Sequence, residues 1–171
     1  CCYGCDNMKL TEEVVKKISS IKKEPEWMLE FRLKSYNSFS KIGNPNFGPE
    51  LNIDYDSINY YKQREDEITN NWDNLKSEIR NTFDDLGLVK ASKEYLDGTS
   101  CQYDSEVVYH NMIKELEEKN IIFLSTDDAL KKYPEIFKKY FGTLVNYSEN
   151  KFTALNGAVW SGGTFIYIPP N

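Results

Sequence analysis

Three cysteines crowd the start of the chain, Cys1, Cys2 and Cys5, and a fourth, Cys101, stands far along it. Cys2-Tyr-Gly-Cys5 has a spacing at which two thiolates grip zinc or an iron–sulfur cluster, although such sites normally take four ligands. A complete site would need Cys101 to fold back, or a second chain, because His110 is the only histidine. Neighbours as close as Cys1 and Cys2 are poor disulfide partners, and four cysteines in a chain this size are not a secreted disulfide framework. The plainer reading is an untethered terminus with exposed thiols. Cys1, Cys2 and Cys5 stand beside it as the candidate metal ligands.

His110 lies in Val107-Val108-Tyr109-His110-Asn111-Met112. A general base needs an orienting partner and a nucleophile nearby. Asp104 and Glu106 are close in sequence, but no nucleophile can be assigned, so a hydrogen-bonded structural histidine is expected. The pairs Asp84-Asp85 and Asp127-Asp128 sit beside expected helix termini, where capping and the helix dipole account for them. Gly162-Gly163 is not a phosphate loop. No GxxxxGK[ST] pattern exists, so the chain is not expected to hydrolyse ATP. No catalytic residue is assigned.

The chain has 171 residues, enough for one domain or one and a piece, and it needs no covalent staples to bury a core. Its net charge of −6 argues against nucleic acid or an anionic membrane, which both need clustered positive charge. No apolar run approaches the roughly 20 residues of a membrane helix. The first ten residues lack a basic-then-apolar signal pattern. A soluble, intracellular protein is expected. The chain lacks an initiator Met and ends on Pro169-Pro170-Asn171 straight after a strand-like run, as a fragment would.

The elements that must carry these residues are read from periodicity. Thr11 is placed to cap a first helix with Glu12 and Glu13 in its first turn, Leu10 and Val15 as a hydrophobic staple and Val14, Val15, Ile18 and Ile21 as its stripe. Lys16, Lys17, Lys22 and Lys23 are its expected solvated face and end. A second helix follows at Pro25, with Trp27, Met28, Phe31 and Tyr36 at helical spacing and Glu30–Lys34 as a surface pair. Gly43 to Pro49 marks a loop, and Ile53, Tyr55 and Ile58–Tyr61 suggest short extended segments. Residues 62–74 read as an exposed connection pinned by Trp72. Leu75, Ile79, Phe83 and Leu86 step along a helix ending at Gly87, and a short helix follows near Lys90–Leu96. A short extended lead from Cys101 and then a helix over 107–119 are predicted, followed by a strand at Ile121–Leu124. Ser125 or Thr126 caps the next helix, and Pro134 opens another that Gly142 closes. Phe152, Leu155, Ala158–Trp160 and Phe165–Ile168 are strand-like, with turns at Asn156-Gly157 and Ser161–Gly163. That last block fits a hairpin or the first rungs of a β-solenoid, and the pattern does not choose.

Four stretches carry a family resemblance: EPEWMLEFRLK from Glu24, QYDSEVVYHNM from Gln102, YPEIFKKYFG from Tyr133 and KFTALNGAVWSGGTFIYIP from Lys151. In this order they resemble SufB, the scaffold subunit of the SUF iron–sulfur cluster assembly machinery, across nearly the whole chain from about Leu10. The related SufD subunit shares a looser version of the first stretch, and the VVYHNM and ALNGAVWSGG wording resembles SufB rather than SufD. The resemblance implies an α+β fold. A mainly helical N-terminal domain with a few short strands (1–150) leads into the first strands of a right-handed parallel β-helix (151–171). It also implies a non-enzymatic scaffold acting with the SufC ATPase and SufD, and with sulfur-donor proteins. The transient iron–sulfur cluster would be built on residues beyond Asn171, so no cofactor is expected on this piece. Bacterial cytoplasm or plastid stroma would be its compartment. The family has aromatic residues where Cys5 stands, so the resemblance lends the N-terminal cysteines no role. Two other readings stay open: a small thiol or metal module using Cys1, Cys2, Cys5 and Cys101, and a cofactor-free interaction domain.

Overall fold

The computed structural model describes residues 9–62, 68–112 and 114–170. The chain divides into two compact units, one built from residues up to 62 together with 130–161, the other from the residues up to 129 between them together with those from 162 on. Each has its own hydrophobic core, and they are taken separately.

The first unit begins with α1 (Glu12–Lys22). Thr11 Oγ1 accepts from the Val14 N–H at 3.3 Å, which satisfies one of the donors a helix start leaves open. Leu10, Val14, Val15 and Ile18 are buried together, as the staple and stripe require. Lys23 then takes a left-handed conformation (φ 53°), and the chain turns sharply into α2 (Glu26–Lys41) behind Pro25. The surface pair Lys34–Glu30 is present at 3.7 Å. Lys22 departs from the solvated face predicted for it. It is buried, with its ammonium 5.8 Å from the ring centres of both Tyr61 and Trp160.

The residues of α2 that sequence periodicity passes over matter most. Arg32 and Ser35 are both fully buried. Arg32 Nε and Nη2 donate to the two carboxylate oxygens of Glu24 at 2.7 and 2.6 Å. Nη1 and Nη2 also donate to the carbonyls of Ala158 (3.1 Å) and Trp160 (2.9 Å), and the guanidinium lies 4.7 Å from the Trp160 ring centre. Those carbonyls close α8 (Lys151–Val159), so Arg32 serves as its C-terminal cap and places a cation at the negative end of its dipole.

Helix α8 corrects the reading of Phe152, Leu155 and Ala158–Trp160 as strand-like. Asn150 Oδ1 accepts from the N–H groups of Phe152 and Thr153, and Thr153 Oγ1 accepts from the Asn150 N–H at 3.1 Å, a reciprocal capping box. Gly157 is not in a turn. It lies where α8 crosses α2, and a Cβ there would stand 2.5 Å from Ser35 Oγ and 2.9 Å from Ser35 Cβ. With Ala154 and Ala158 also fully buried, small residues let the two helices approach closely. Between α2 and the second unit, residues 42–62 form neither helix nor strand, which corrects the extended segments expected at Ile53–Tyr61. Tyrosines hold this loop instead. Tyr55 Oη donates to Asn44 Oδ1 at 3.0 Å, Tyr60 Oη donates to the Tyr55 carbonyl at 2.6 Å, and Tyr61 enters the core.

In the second unit a short 3-10 turn at Trp72–Asn74 precedes α3 (Ser77–Asp85) and α4 (Leu88–Glu94), with Gly87 between them at φ 72°. Ile79 and Phe83 are buried as predicted, while Leu86 is exposed. Trp72 does pin its segment. Its ring stacks on Tyr109 at 3.7 Å, and its Nε1–H donates to Ser92 Oγ at 2.8 Å. Strands β1 (Gly98–Tyr103) and β2 (Glu106–Met112) form an antiparallel hairpin, correcting the helix expected over 107–119. The reason is local. Tyr103 pairs with Glu106 across a two-residue turn in which Asp104 has φ 55°, a conformation Asp tolerates, and the β-branched Val107 and Val108 suit a strand. Of the described residues in 107–119, only the short α5 (Lys114–Glu118) is helical. Strand β3 (Ile122–Ser125) pairs antiparallel with β4 (Thr164–Tyr167). Ser125 Oγ accepts from Asp128 N–H at 3.1 Å at the start of α6 (Thr126–Lys132), and α7 (Pro134–Tyr140) follows in the first unit. The described strands pair only antiparallel, apart from one parallel bridge between Thr69 and Tyr109, and none of them shows a parallel β-helix.

Two stability outcomes follow. Arg32→Ala, which strands the Glu24 carboxylate and uncaps α8, is expected to cost about 3–5 kcal/mol in urea unfolding, and Arg32→Lys should recover little because an ammonium lacks the planar fork. Gly157→Val should cost about 1–3 kcal/mol by overpacking against Ser35, read as a lowered denaturation midpoint at unchanged slope.

Candidate functional site

The sequence nominates cysteines and one histidine, and the structure places two of them. Cys101 sits on β1 inside the second core, among Trp72, Ile79, Phe83, Val89, Val108 and Tyr109. Burial pushes its thiol pKa up. A thiolate is the form that attacks electrophiles and binds metals, so this environment suppresses both. Cys1, Cys2 and Cys5 lie outside the described residues. Among the described residues, no three His, Cys, Asp or Glu side chains come together as a metal site.

His110 is on β2, with its ring centre 4.7 Å from that of Phe123. Its backbone N–H donates to the Thr69 carbonyl at 2.9 Å, while Thr69 N–H donates to the Val108 carbonyl at 3.2 Å, so the segment at Thr69 runs beside β2 like a short extra strand. The imidazole borders a cleft of about 640 Å³ with Thr69, Asn70, Asn74, Leu75, Lys76 and Ile79 among its walls. No carboxylate or cysteine is among the described residues lining it. Asp104 and Glu106 are instead at the hairpin turn and the first residue of β2.

The acidic pairs behave as helix-end groups. Asp84 Oδ2 lies 3.6 Å from Arg80 Nε near the end of α3, and Arg80 also bonds Asp73. Asp127 and Asp128 occupy the first turn of α6. Gly162 and Gly163 present carbonyls to their neighbours. Gly162 O accepts from Thr126 Oγ1 at 2.6 Å and Gly163 O from Thr126 N–H at 3.1 Å. A phosphate cradle works the other way, with backbone N–H groups aimed at an anion.

Sequence reasoning missed one surface. In the first unit, α7 ends at Phe141 and Gly142, and the loop beyond carries Leu144 and Val145 into solvent, 95% and 59% exposed. Beside it opens an apolar groove of about 480 Å³ with Phe31, Phe141, Tyr147 and Phe152 in its walls. Gly142 adopts φ 69°, and a Cβ there would stand 2.7 Å from Phe31 Cε2, so the loop is held hard against α2. The signal was present as Leu144-Val145, two aliphatic residues in an otherwise polar connection, but periodicity assigns such a pair no element.

What the described residues build, then, is two small cores, a buried ion-pair clamp and an apolar surface groove. Comparison with known proteins supplies the class. A family model described as the SufBD protein N-terminal region matches residues 8–171. The chain belongs to the SufBD family. It is 54% identical over 163 residues, 95% of its length, to a protein named as an iron–sulfur cluster assembly SufBD family protein in Staphylococcus aureus strain USA300. It is 53% identical over the same length to a protein of that name in Staphylococcus saprophyticus. The chain spans 35% of the length of each of these relatives. No helix among the described residues is long and apolar enough to cross a membrane.

The burial of Cys101 has a measurable consequence. In a variant with Cys1, Cys2 and Cys5 changed to Ser, the remaining thiol should alkylate with iodoacetamide at least roughly tenfold more slowly in the native protein than in concentrated guanidinium at the same mildly alkaline pH.

Proposed function

We propose that this chain is the N-terminal region of a SufB-type subunit that serves iron–sulfur cluster assembly as a scaffold and not as an enzyme. The observation that carries the reading is the family match along residues 8–171, joined to relatives whose names state iron–sulfur cluster assembly. The wording VVYHNM and ALNGAVWSGG favours SufB over SufD. In the whole protein this region works with SufC and SufD in the cytoplasm, or in the stroma of a plastid-bearing cell, and sulfur reaches the complex from a donor protein. The nascent cluster is cargo of the whole protein. In this reading its building residues lie in the part of the relatives that this chain does not span, and Cys1, Cys2 and Cys5 hold no cluster. The right-handed parallel β-helix likewise belongs to the proposed whole protein, with the junction in residues 151–171.

The test is a chimaera in which residues 8–171 replace the matching region of the Staphylococcus aureus relative, assayed for growth and cluster-enzyme activity in cells depleted of that relative. Rescue is expected. A folded, expressed chimaera that fails to rescue overturns the reading. Anaerobic iron and sulfide reconstitution of the 171-residue chain should leave iron at background. Stoichiometric iron, lost on Cys2→Ser with Cys5→Ser, would move cluster chemistry onto the N-terminal cysteines.

A further inference from the structure

The groove beside Leu144 and Val145 is preformed. Phe31 meets Phe141 and Tyr147 edge to face, with ring centres 5.2 and 5.5 Å apart, so the floor is a locked aromatic cluster and not a soft depression. Its volume, about 480 Å³, would suit a small ligand. A small ligand in the groove would still leave Leu144 standing out in water, at 95% exposure. A protein segment covers the groove and the loop together. Contiguous exposed apolar surface of this kind marks interaction sites.

Charge decides what kind of segment. Helix α7 carries two lysines, Lys138 and Lys139, against one glutamate, Glu135, in a chain whose net charge is −6. Lys139 stands at the rim itself, its Nζ 5.0 Å from the ring centre of Tyr140, which lines the groove. On the loop beyond Val145, the Glu149 carboxylate is turned to the Asn146 N–H, with Oε1 3.0 Å from that nitrogen. The edge formed by α7 is therefore cationic beside an apolar floor. We propose that this groove docks an acidic segment of a partner protein, inserting bulky apolar side chains over Phe31 and Phe141 and setting its carboxylates against Lys139. The same chemistry would serve an anionic bilayer, but a concave, aromatic-floored groove suits inserted side chains better than a flat surface. The inference does not depend on the family reading, and the chimaera test above does not touch it.

The test is selection of a random peptide library displayed on phage against the 171-residue chain. Leu144→Asp with Val145→Asp serves as the groove-negative protein, and Lys139→Glu as the charge reversal. Leu144 and Val145 are exposed, so the double variant should keep its circular dichroism and melting temperature. Expected are enriched peptides that combine bulky apolar residues with Asp or Glu. Their affinity should fall at least roughly tenfold in the double variant and by a smaller factor in Lys139→Glu. Three outcomes overturn the proposal: enriched peptides that bind the double variant equally well or carry no acidic bias; groove-dependent binding to phosphatidylserine vesicles without peptide selection; and concentration-dependent self-association that the double variant abolishes.

Discussion

A guanidinium with no exposure to water must find every partner it needs inside the protein, and that requirement organises the first unit. Arg32 brings together pieces from distant parts of the sequence: the junction between α1 and α2 through Glu24, and the end of α8 through two carbonyls. Burying an ion pair is costly, and a well-fitted apolar cluster of the same volume can be as stable or more so. What the pair supplies is direction. An apolar contact tolerates sliding, whereas a planar fork that meets one carboxylate and two carbonyls admits essentially one arrangement of three segments. The small residues at Ser35, Ala154, Gly157 and Ala158 then let the two helices come near enough for the fork to reach.

This also marks where a sequence stops being legible. Local rules found what local chemistry decides. Thr11, Ser125 and Pro134 start helices where their capping and backbone properties place them, Gly87 stands at a helix end, and Trp72 anchors its segment. Failures came where tertiary packing overrode pattern. Gly157 beside Asn156 imitates a turn, yet it is a helix residue chosen for the absence of a side chain. Lys22 looks like a solvated cation and is a buried one, and Arg32, buried as well, falls outside the periodic stripe. Val107–Tyr109 fall within the predicted helix and form a strand, because Asp104 and Ser105 make a two-residue hairpin turn that only the pairing of β1 with β2 reveals.

The candidate site was less visible than the fold. Thiols and an imidazole draw attention because their chemistry is versatile, but the structure puts Cys101 in a core and His110 beside a cleft with no carboxylate among its described lining residues. The groove by contrast is made of ordinary aromatics and two exposed aliphatics from α2, α7, the following loop and α8. No residue type announces it, because its meaning lies in which side chains are left uncovered.

The clamp has a temporal side as well. Arg32 is separated from its two carbonyl partners by 126 and 128 residues, and the second unit, except its last segment from Gly162 on, is made between them. As the chain leaves the ribosome, α1, α2 and Glu24 emerge early, but the first unit cannot close until Trp160 is free of the tunnel. Contacts this distant in sequence form late and slowly. The unit that begins first therefore waits while most of the second is made, and until then the α2 face that will receive α8 stays open, with small residues and an ion pair where an unfinished apolar core would otherwise invite wrong partners.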